Sequence, residues 1–563
     1  MEEEEEEEEE PVGEQEEEEE PAVGEPQYGG TISYCFSHSV ADPPAPDIQL
    51  GPARFNWWIG HVQEQPICGN FEKYGPRGTG EYAFQTAAYI PSKYQEGLLI
   101  ESWEVTPEKI VWQVRPGIYW SPNEYQRVHV MERRELVAED MVDWLLYFRE
   151  APGGTTFKAQ TTKIYAEGRY TVVIETPKFN RRLMYLVTYE DRAHYQPPET
   201  RAAGVGEWKN QVGTGPFMFE EYVRGSYLSY ERNPNYWKTT TINGVEYQLP
   251  FADRIVMPII PDISVQIAAL RTAALDYHQI VPFRDWDSLE RTNPELLYCR
   301  ACTGTVWVLV FNCQEEGSPV QDREVRRALM IGTDRAAIDE LVSVEKPVHW
   351  WPGGPAIAGS YTPLEELPEE TRLLYDYNPT LAKQMLADAG YPNGFEIGMV
   401  LSPWIGLQER GALIQAQWAK LGVELKLKTQ EEVEYAAKRY TLKYGDSRID
   451  NMQCVSPSDL FRWGHSTGAL NFAGLSNERF DYLTETGSGI MDDAEANVYF
   501  KEAAVLGLNE VAVIPLDMWV ESAYWWPWIK NYYGEMNVGD AGQIAALFAH
   551  MWIDQDLKAE MGY

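Results

Sequence analysis

Residues 376–394 read DYNPTLAKQMLADAGYPNG and contain the start and stop signals of one amphipathic helix. Asn378 is a favourable N-cap, and Pro379 takes the first helical position, where the missing N–H costs nothing. Gly390 supplies a residue at which the helix can end. The apolar positions of the helix are Leu381, Met385 and Leu386. The stretch therefore predicts a helix that packs one side against a core.

Similar signals occur on both sides of this helix. Residues 110–115 (IVWQVR) and 168–176 (GRYTVVIET) have the apolar patterns of strands, and residues 138–149 (AEDMVDWLLYFR) have the apolar face of a helix. Residues 322–342 carry a helical stripe that is interrupted near 332–334. Because β-rich stretches alternate with helices over 563 residues, the sequence predicts an α/β or α+β protein of several domains.

The charge of the chain excludes some classes of partner. The formal net charge is −40, and no cluster of Lys or Arg offsets it. Such a field repels the phosphates of nucleic acids and the head groups of anionic membranes. We therefore expect no nucleic-acid partner and favour a small neutral or cationic ligand.

The amino-terminal 27 residues differ from the rest of the chain. Sixteen of the first 25 residues are Glu, and none is Lys or Arg. Like charges and the lack of apolar residues predict a disordered acidic tether over residues 1–27. The start has neither the basic residues nor the apolar stretch of a secretory signal. Either the protein is cytoplasmic, or a signal peptide is missing from this version of the sequence.

Six groups of short motifs follow one another in a fixed order. They are GGT at 29–31; SWEV to VWQVRPG at 102–117 with AEDMV at 138–142; GTGPF at 213–217 with ERNPNYW at 231–237; FN at 311–312; VRRAL at 325–329 with DR at 334–335; and the stretch at 376–394. With these motifs the chain resembles the family 5 solute-binding proteins of ABC transporters, which include oligopeptide and dipeptide binders. This resemblance favours the second interpretation of the amino terminus, an extracytoplasmic protein without its signal peptide.

The resemblance implies a periplasmic-binding-protein type II-like α/β fold with two lobes hinged around a central ligand cleft. Lobe one would contain a discontinuous domain I and an inserted domain II, and lobe two would be domain III. The implied boundaries are 28–55, 190–311 and 516–563 for domain I, 56–189 for domain II, and 312–515 for domain III. The two strands that cross between the lobes would lie near residues 309–312 and 513–517.

The resemblance also implies the function. The protein would capture an oligopeptide by lobe closure and deliver it to the permease of an ABC importer, as a monomer without enzymatic activity or cofactor. A lipid anchor ahead of the Glu-rich segment would be its only attachment to a membrane. The residues agree in one respect, because none of the eight His belongs to a zinc-binding H-E-x-x-H pair.

Asp459 is the first candidate binding residue. In peptide-binding members an Asp in a Gly-Trp-x-x-Asp motif pairs with the α-ammonium of the peptide, and the same spacing here leads to Asp459, with Ser456 at the Trp position. An enclosed anion suits a ligand cation, since an unpaired buried charge is costly. The alternative is that Asp459 caps the turn that follows it.

Other candidates are aromatic residues and one amide. Tyr435 takes the place of a Trp that lies near the ligand in oligopeptide binders. Leu442 takes the place of a cationic residue in the same proteins. Loss of this cation weakens the expectation of a short peptide, because the carboxylate of a short peptide must be neutralised. Asn312, at the end of the first crossing, is also predicted to contact the ligand. The aromatic candidates for the cleft are Trp57, Trp58, Trp404 and Trp463.

Two alternative functions stay open. Trp rings stack on sugar faces as well as on peptide side chains, so an oligosaccharide-binding receptor of the same fold is one alternative. A structural or surface-layer component that has kept the fold is the other, because a fold does not fix a function.

Overall fold

A computed structural model describes residues 24–36, 56–85, 90–190, 192–342, 354–355, 357–403, 405–454, 456–539 and 544–563. The amino-terminal segment 1–23, predicted as part of a tether, lies outside these ranges.

Strands and helices alternate along the described chain. The strands are β1 Thr31–Phe36, β2 Ile67–Gly69, β3 Gln95–Gly97, β4 Ile100–Val105, β5 Lys109–Val114, β6 Tyr119–Trp120, β7 Arg134–Glu135, β8 Lys163–Ala166, β9 Thr171–Glu175, β10 Phe217–Val223, β11 Tyr227–Arg232, β12 Thr239–Ile242, β13 Val245–Gln248, β14 Arg254–Pro258, β15 Tyr277–Gln279, β16 Leu297–Phe311, β17 Phe395–Leu401, β18 Val423–Thr429, β19 Ser447–Gln453, β20 Val513–Trp525, β21 Ile529–Lys530 and β22 Trp552–Ile553. The helices are α1 Asn56–Ile59, α2 Phe71–Tyr74, α3 Glu124–His129, α4 Ala138–Glu150, α5 Thr155–Gln160, α6 Arg181–Thr188, α7 Pro198–Ala203, α8 Ile263–Arg271, α9 Trp286–Thr292, α10 Arg323–Ile331, α11 Arg335–Val342, α12 Glu369–Arg372, α13 Pro379–Asp388, α14 Ile405–Ala419, α15 Glu432–Arg439, α16 Asp459–Gly464, α17 Glu478–Ser488, α18 Asp493–Glu510, α19 Ala545–His550 and α20 Gln555–Glu560.

One 10-stranded sheet runs through the molecule, in the order β10-β11-β14-β1-β15-β20-β16-β19-β17-β18. The strands β10, β11, β14, β1 and β15 form one end, which belongs to the first lobe, and β19, β17 and β18 form the other end, which belongs to the second lobe. The two central strands, β16 and β20, are the long ones and extend through both lobes. This mixed sheet with helices packed on it confirms the predicted α/β class.

The two central strands form the connection between the lobes. They pair antiparallel from Leu297 with Trp525 to Cys302 with Val520, and the pairing resumes at Val306 with Met518 after a shift in register. The interruption lies several residues ahead of the predicted crossing at 309–312, which pairs regularly within the second lobe. A break in the ladder removes backbone hydrogen bonds locally, so we place the hinge there.

The parallel strands of the two lobes point toward each other. In the first lobe, β1 and β15 are parallel and end at Phe36 and Gln279. In the second lobe, β17, β18 and β19 are parallel, and β19 ends at Gln453 opposite Thr305 of β16. Because β16 runs from the first lobe to the second, the carboxyl ends of both sets face the interruption between them.

An insertion in the first lobe carries its own four-stranded sheet, β4-β5-β9-β8, packed on α4. Its core is apolar and includes Trp112, Trp144, Leu145 and Phe148. The predicted boundary of this insertion is residue 56, yet several residues beyond 56 pack into the main core of the first lobe: Trp58, Ile59, Val62, Phe71, Phe84 and Ile90. We propose that the insertion begins nearer residue 95 and extends to about 190.

The predicted local elements agree closely with the structure. The predicted helix at 378–390 is α13, in which the side chain of Asn378 accepts a hydrogen bond from the Leu381 amide. The predicted helix at 138–149 is α4, and the interrupted helix at 322–342 is the pair α10 and α11. The predicted strands at 110–115 and 168–176 are β5 and β9.

Two glycines of the GTGPF motif have a packing role. A Cβ atom on Gly213 would lie 1.7 Å from the carbonyl oxygen of Val62, and one on Gly215 would lie 2.6 Å from that of His61. The amide of Gly215 also donates a hydrogen bond to the Val62 carbonyl. These glycines therefore allow two backbone segments of the first lobe to touch.

Both ends of the described chain lie on the first lobe. The side-chain oxygen of Gln27 accepts a hydrogen bond from the amide of Gln555 in α20, and Tyr28 packs on the ring of Phe251. In the described part of the chain, none of the helices combines the length and hydropathy needed to cross a bilayer.

Candidate functional site

The crevice between the facing carboxyl ends of the strands is the candidate site. In α/β sheets the segments that follow the carboxyl ends of parallel strands form ligand-binding crevices. Here those segments come from both lobes, since they follow β15 in the first lobe and β17, β18 and β19 in the second. A ligand in this crevice would contact both lobes at once.

An ion pair joins the lobes at one end of this crevice. Helix α6 of the insertion begins after its N-cap Asn180 and carries Arg182 in its first turn. The guanidinium of Arg182 donates to the carboxylate of Asp459, at the start of α16 in the second lobe, and also to that of Glu190. Asp459 is fully buried and receives a second, longer contact of 3.4 Å from Arg462. The buried charges of this group thus compensate one another.

Arg181 makes a second contact between the same elements. Its guanidinium lies 2.5 Å from the carboxylate of Asp493 and donates to the carbonyl oxygen of Ile490 at 2.6 Å. Cations at the amino end of a helix oppose the helix dipole. The acidic partners in the second lobe offset this cost for Arg181 and Arg182, so the interface stabilises the two lobes in contact.

A groove opens beside these ion pairs. It has a volume of about 210 Å³ and is lined from both the insertion and the second lobe. Its apolar and aromatic lining includes Trp103, Phe179, Met184, Tyr185, Tyr189 and Met491. Arg181, Asp493 and Asn497 add polar groups at the same place. Such a surface suits a ligand with apolar groups and a few hydrogen-bonding positions.

A buried ion pair lies near the middle of the sheet. Asp517 of β20 accepts two hydrogen bonds from Arg410 of α14, at 2.7 and 2.5 Å. The guanidinium of Arg410 also lies 5.3 Å from the ring centre of Trp307 on β16. Burial raises the pKa of Asp517, while the hydrogen bonds from Arg410 oppose this shift. The pair fixes α14 to a central strand within the second lobe.

A second carboxylate on β20 has different surroundings. Glu521 lies on the first-lobe side of the hinge, opposite Ala301, and its Oε2 accepts a hydrogen bond from the Gln279 amide at 3.2 Å. Burial raises the pKa of Glu521 to about 7, and the bond from Gln279 opposes the shift only in part. The side chain is enclosed yet keeps some accessible surface, as expected for a residue at the wall of a crevice.

The structure brings only some of the predicted site residues to the crevice. Asp459 lies at the lobe interface, but its carboxylate is engaged by arginines of the protein. The capping alternative is wrong, because Ser458 is the N-cap of α16 and Asp459 is its first residue. The role of Asp459 toward a ligand stays a prediction.

Two aromatic candidates are structural in their surroundings. The indole N–H of Trp463 donates to the carbonyl of Gln453 at 3.0 Å, and its ring packs edge-on against Phe472. The hydroxyl of Tyr435 donates to the carbonyl of Ile449, and its ring lies 3.9 Å from the Arg448 guanidinium. Both side chains are buried.

The remaining candidates divide into two groups. The side-chain amide of Asn312 donates to the carbonyl of Leu442 at 2.9 Å and to Glu315 at 3.1 Å, which holds the turn after β16. Trp58 is buried in the core of the first lobe. Trp404 and the side chain of Trp57 lie outside the described part of the structure.

Sequence reasoning missed four charged residues near the connection between the lobes: Arg182, Arg410, Asp517 and Glu521. One signal was available for the last two, because they are charged positions in an otherwise apolar and aromatic strand, VIPLDMWVESAYW. Strand periodicity indicates that such residues are buried or face a cavity. The arginines carry no comparable signal, since their partners are remote in sequence.

Among the described residues, no three His, Cys, Asp or Glu side chains gather in an arrangement that could hold a metal ion. Cys299 has a free thiol, whose Sγ accepts a hydrogen bond from the amide of Gln85.

A family model matches most of the chain. The model describes the middle region of the bacterial extracellular solute-binding proteins, family 5, and matches residues 95–463. This range includes the insertion, both partners of the Arg182–Asp459 pair and the strand β16.

Individual proteins show the same similarity. Heme-binding protein A of Haemophilus influenzae is 30% identical over 339 residues, 57% of each protein, so the chain spans little more than half the length of this relative. The periplasmic oligopeptide-binding protein OppA of the same organism is 22% identical over 507 residues, 83% of this chain and 89% of that protein. A solved structure of the periplasmic binding protein DppA from Helicobacter pylori, in complex with the peptide STSA, superposes with a TM-score of 0.72 at 18% identity, over 94% of this chain and 99% of the other. The last match shows that the fold is shared.

Proposed function

Because the chain belongs to family 5 of the bacterial extracellular solute-binding proteins, we propose that it is the extracytoplasmic receptor of an ABC importer. It captures an oligopeptide between its two lobes and delivers it to the membrane permease. In this role it binds its ligand without changing it, so the proposal assigns no catalytic residue.

The arrangement of the strands carries this proposal. Two lobes present the carboxyl ends of their parallel strands to the same crevice. Between them, in the part of the chain that the structure describes, the central strands β16 and β20 pair in both lobes and their ladder is interrupted at the crevice. A rotation about the interrupted ladder changes the width of the crevice without disturbing either core. Closure around a ligand is the mechanical property that a receptor needs, because closure buries the ligand and presents a new surface to a permease.

The groove beside Arg181 supports a peptide or a similarly extended ligand. Its aromatic residues and Met184 provide apolar contacts for side chains, and Asn497 and Asp493 provide hydrogen-bonding groups. The relative OppA is named an oligopeptide-binding protein, and the DppA structure holds the peptide STSA, so a peptide is the first class of ligand to examine.

An oligosaccharide is the second candidate ligand, and the same groove favours it. Trp103 and Tyr185 present rings at its surface, and the C–H groups of a sugar stack on such rings. A peptide and a sugar would use these rings differently, since a peptide also needs partners for its charged ends.

Ligand recovery tests the proposal directly. The full chain would be purified without denaturation, its mass measured under native conditions, and the small molecules released by denaturation identified by mass spectrometry. Released peptides support the proposal, whereas released glycans would identify the protein as an oligosaccharide receptor instead. If nothing is released, thermal shifts are recorded with panels of two- to five-residue peptides, of oligosaccharides and of haem. A protein that is stabilised by none of them contradicts the receptor function and favours a structural role.

A further inference from the structure

The first-lobe wall of the crevice contains a carboxylate whose partners differ from those of the other crevice acids. Glu521 lies three residues past Met518, where the pairing of β20 with β16 is interrupted. Its partner Gln279 is the last residue of β15, at the carboxyl end that faces the second lobe. The position is therefore where the fold predicts contact with a ligand.

The balance of charge separates Glu521 from the other acids of the crevice. Asp459 is paired with Arg182 and Arg462, and Asp517 is paired with Arg410. In the part of the chain that the structure describes, Glu521 takes a hydrogen bond from the neutral Gln279 and forms no ion pair.

Among the described residues, the titratable groups near Glu521 and its neighbour Tyr277 supply no cation for it. Tyr277 lies on the neighbouring strand β15, and Cys299 on β16. The carboxyl-terminal segment places Tyr532 and Glu535 near Tyr277, and Arg77 is engaged by Glu535 at 2.6 Å. An enclosed carboxylate without a cation is unfavourable, so a positively charged ligand group would stabilise its ionised form.

Building on the proposed function, we propose that Glu521 binds a cationic nitrogen of the ligand, whereas Asp459 holds the two lobes together through Arg182. The cation is the α-ammonium of a peptide or a basic side chain, and both have the same chemistry. The role that the family resemblance assigns to Asp459 would thus have moved to the opposite lobe in this protein. A ligand ammonium at Asp459 would have to displace an arginine that is itself nearly buried.

Matched peptides and variants test this proposal. The probes are tetra-alanine, N-acetyl tetra-alanine, and an N-acetyl tetrapeptide that contains one lysine. Each is titrated calorimetrically at pH 7 against the full-length wild type and the variants Glu521→Gln, Asp459→Asn and Glu246→Gln. Glu521→Gln keeps the shape of the side chain and removes its charge. Glu246→Gln removes an exposed charge of the same lobe and is the control.

We expect Glu521→Gln to lower the affinity for the cationic probes at least tenfold and to leave N-acetyl tetra-alanine unaffected. Asp459→Asn should lower the affinity for every probe by a similar factor, because the substitution weakens the contact between the lobes and does not remove a contact with the ligand. Glu246→Gln should bind all probes as the wild type does.

The pH dependence gives an independent measurement. Since burial raises the pKa of Glu521 to about 7, the wild-type affinity for the lysine probe should rise from pH 5.5 to pH 7.5. Glu521→Gln should show a flat profile over this interval. Its melting temperature should equal or exceed that of the wild type, which excludes misfolding as the cause of weak binding.

The outcomes separate the two proposals. If no probe and no other peptide binds the wild type, the peptide receptor function fails, and this inference fails with it. If peptides bind but Glu521→Gln discriminates free from acetylated forms as the wild type does, only the inference is wrong. If Asp459→Asn alone no longer discriminates free from acetylated peptides, the ammonium group binds at Asp459 and not at Glu521.

Discussion

Arg182 and Asp459 are 277 positions apart in the sequence and form a buried ion pair between the insertion of the first lobe and the second lobe. The pair is part of a four-membered group with Glu190 and Arg462, so each charge has a partner in the closed arrangement. Opening the lobes would separate Arg182 from Asp459, because these two residues belong to different lobes. The closed state therefore has an electrostatic stabilisation that does not depend on a ligand.

Removing one partner of this pair should loosen the lobes. We expect Asp459→Ala to reduce the free energy of unfolding by about 3 kcal/mol, because Arg182 keeps its burial and loses a carboxylate. Small-angle X-ray scattering of the ligand-free variant should give a larger radius of gyration than the wild type. The matched variant is Asp493→Ala, which removes the exposed partner of Arg181 and should cost less than about 1 kcal/mol. Equal effects of the two variants would contradict the stabilising role of the buried pair.

Trp463 should act on stability more than on binding. Trp463→Ala removes a large buried ring that packs on Phe472, and we expect a loss of about 3 to 5 kcal/mol in the free energy of unfolding. Trp463→Phe should lose much less, since it keeps most of the apolar volume. Chemical denaturation monitored by circular dichroism measures both. A variant that unfolds like the wild type but no longer binds ligand would instead place the ring in the site.

The groove should govern the preference for bulky ligand side chains. Tyr185→Ala enlarges the groove and removes a ring contact, so the affinity for peptides with an aromatic side chain should fall about tenfold relative to that for tetra-alanine. Calorimetric titration of the two peptide classes gives this ratio. Tyr125→Ala removes an exposed tyrosine outside the groove and serves as the control. An unchanged ratio for Tyr185→Ala would mean that the ligand does not enter the groove.

A buried glutamate should make stability depend on pH. Glu64 accepts hydrogen bonds from Tyr236 and Trp237, and burial raises its pKa to about 7 against these bonds. In the unfolded chain its pKa returns to an ordinary value near 4.5. The folded state therefore binds the proton more tightly, and the stability that Glu64 contributes is present at low pH and is lost as the pH rises from about 4.5 to about 7.

Glu64→Gln removes this titration. The stability of the variant relative to the wild type should rise by as much as about 3 kcal/mol between pH 4.5 and pH 7.5. Urea midpoints measured across this interval for both proteins provide the comparison. Two parallel pH profiles would show that the pKa of Glu64 is the same in the folded and the unfolded state.

The close contact at Gly213 should not accept a side chain. Gly213→Ala places a methyl group against the Val62 carbonyl, so the backbone segments must separate, and we expect at most a small soluble yield and a lowered melting temperature. Gly206→Ala is the control, because no atom lies within 4 Å of the added carbon there. If the two variants have the same melting temperature, the predicted contact is wrong.

Local structure could be predicted from the sequence because its causes are local. Asn378, Pro379 and Gly390 define α13 within thirteen residues, and the apolar spacing of residues 138–149 defines the buried face of α4. The lobe interface has no such local cause, since Arg182 and Asp459 are joined only by the tertiary fold. The burial of Trp58 and Trp463 could not be predicted for a related reason, because both side chains have the size and polarity that suit a core as well as a binding surface.

The meeting of Gln27 and Gln555 on the first lobe has a practical consequence for observing the protein at work. Fluorophores attached near these two positions would both be on the first lobe, so the distance between them would not change with lobe movement. The energy transfer between them would therefore stay constant whether the crevice is open or closed. A sensor of closure needs one dye on the first lobe and the other on the second, for example at exposed Tyr28 and exposed Tyr482. The dye pair near Gln27 and Gln555 then serves as the reference, and a change in energy transfer that only the second pair shows reports lobe movement.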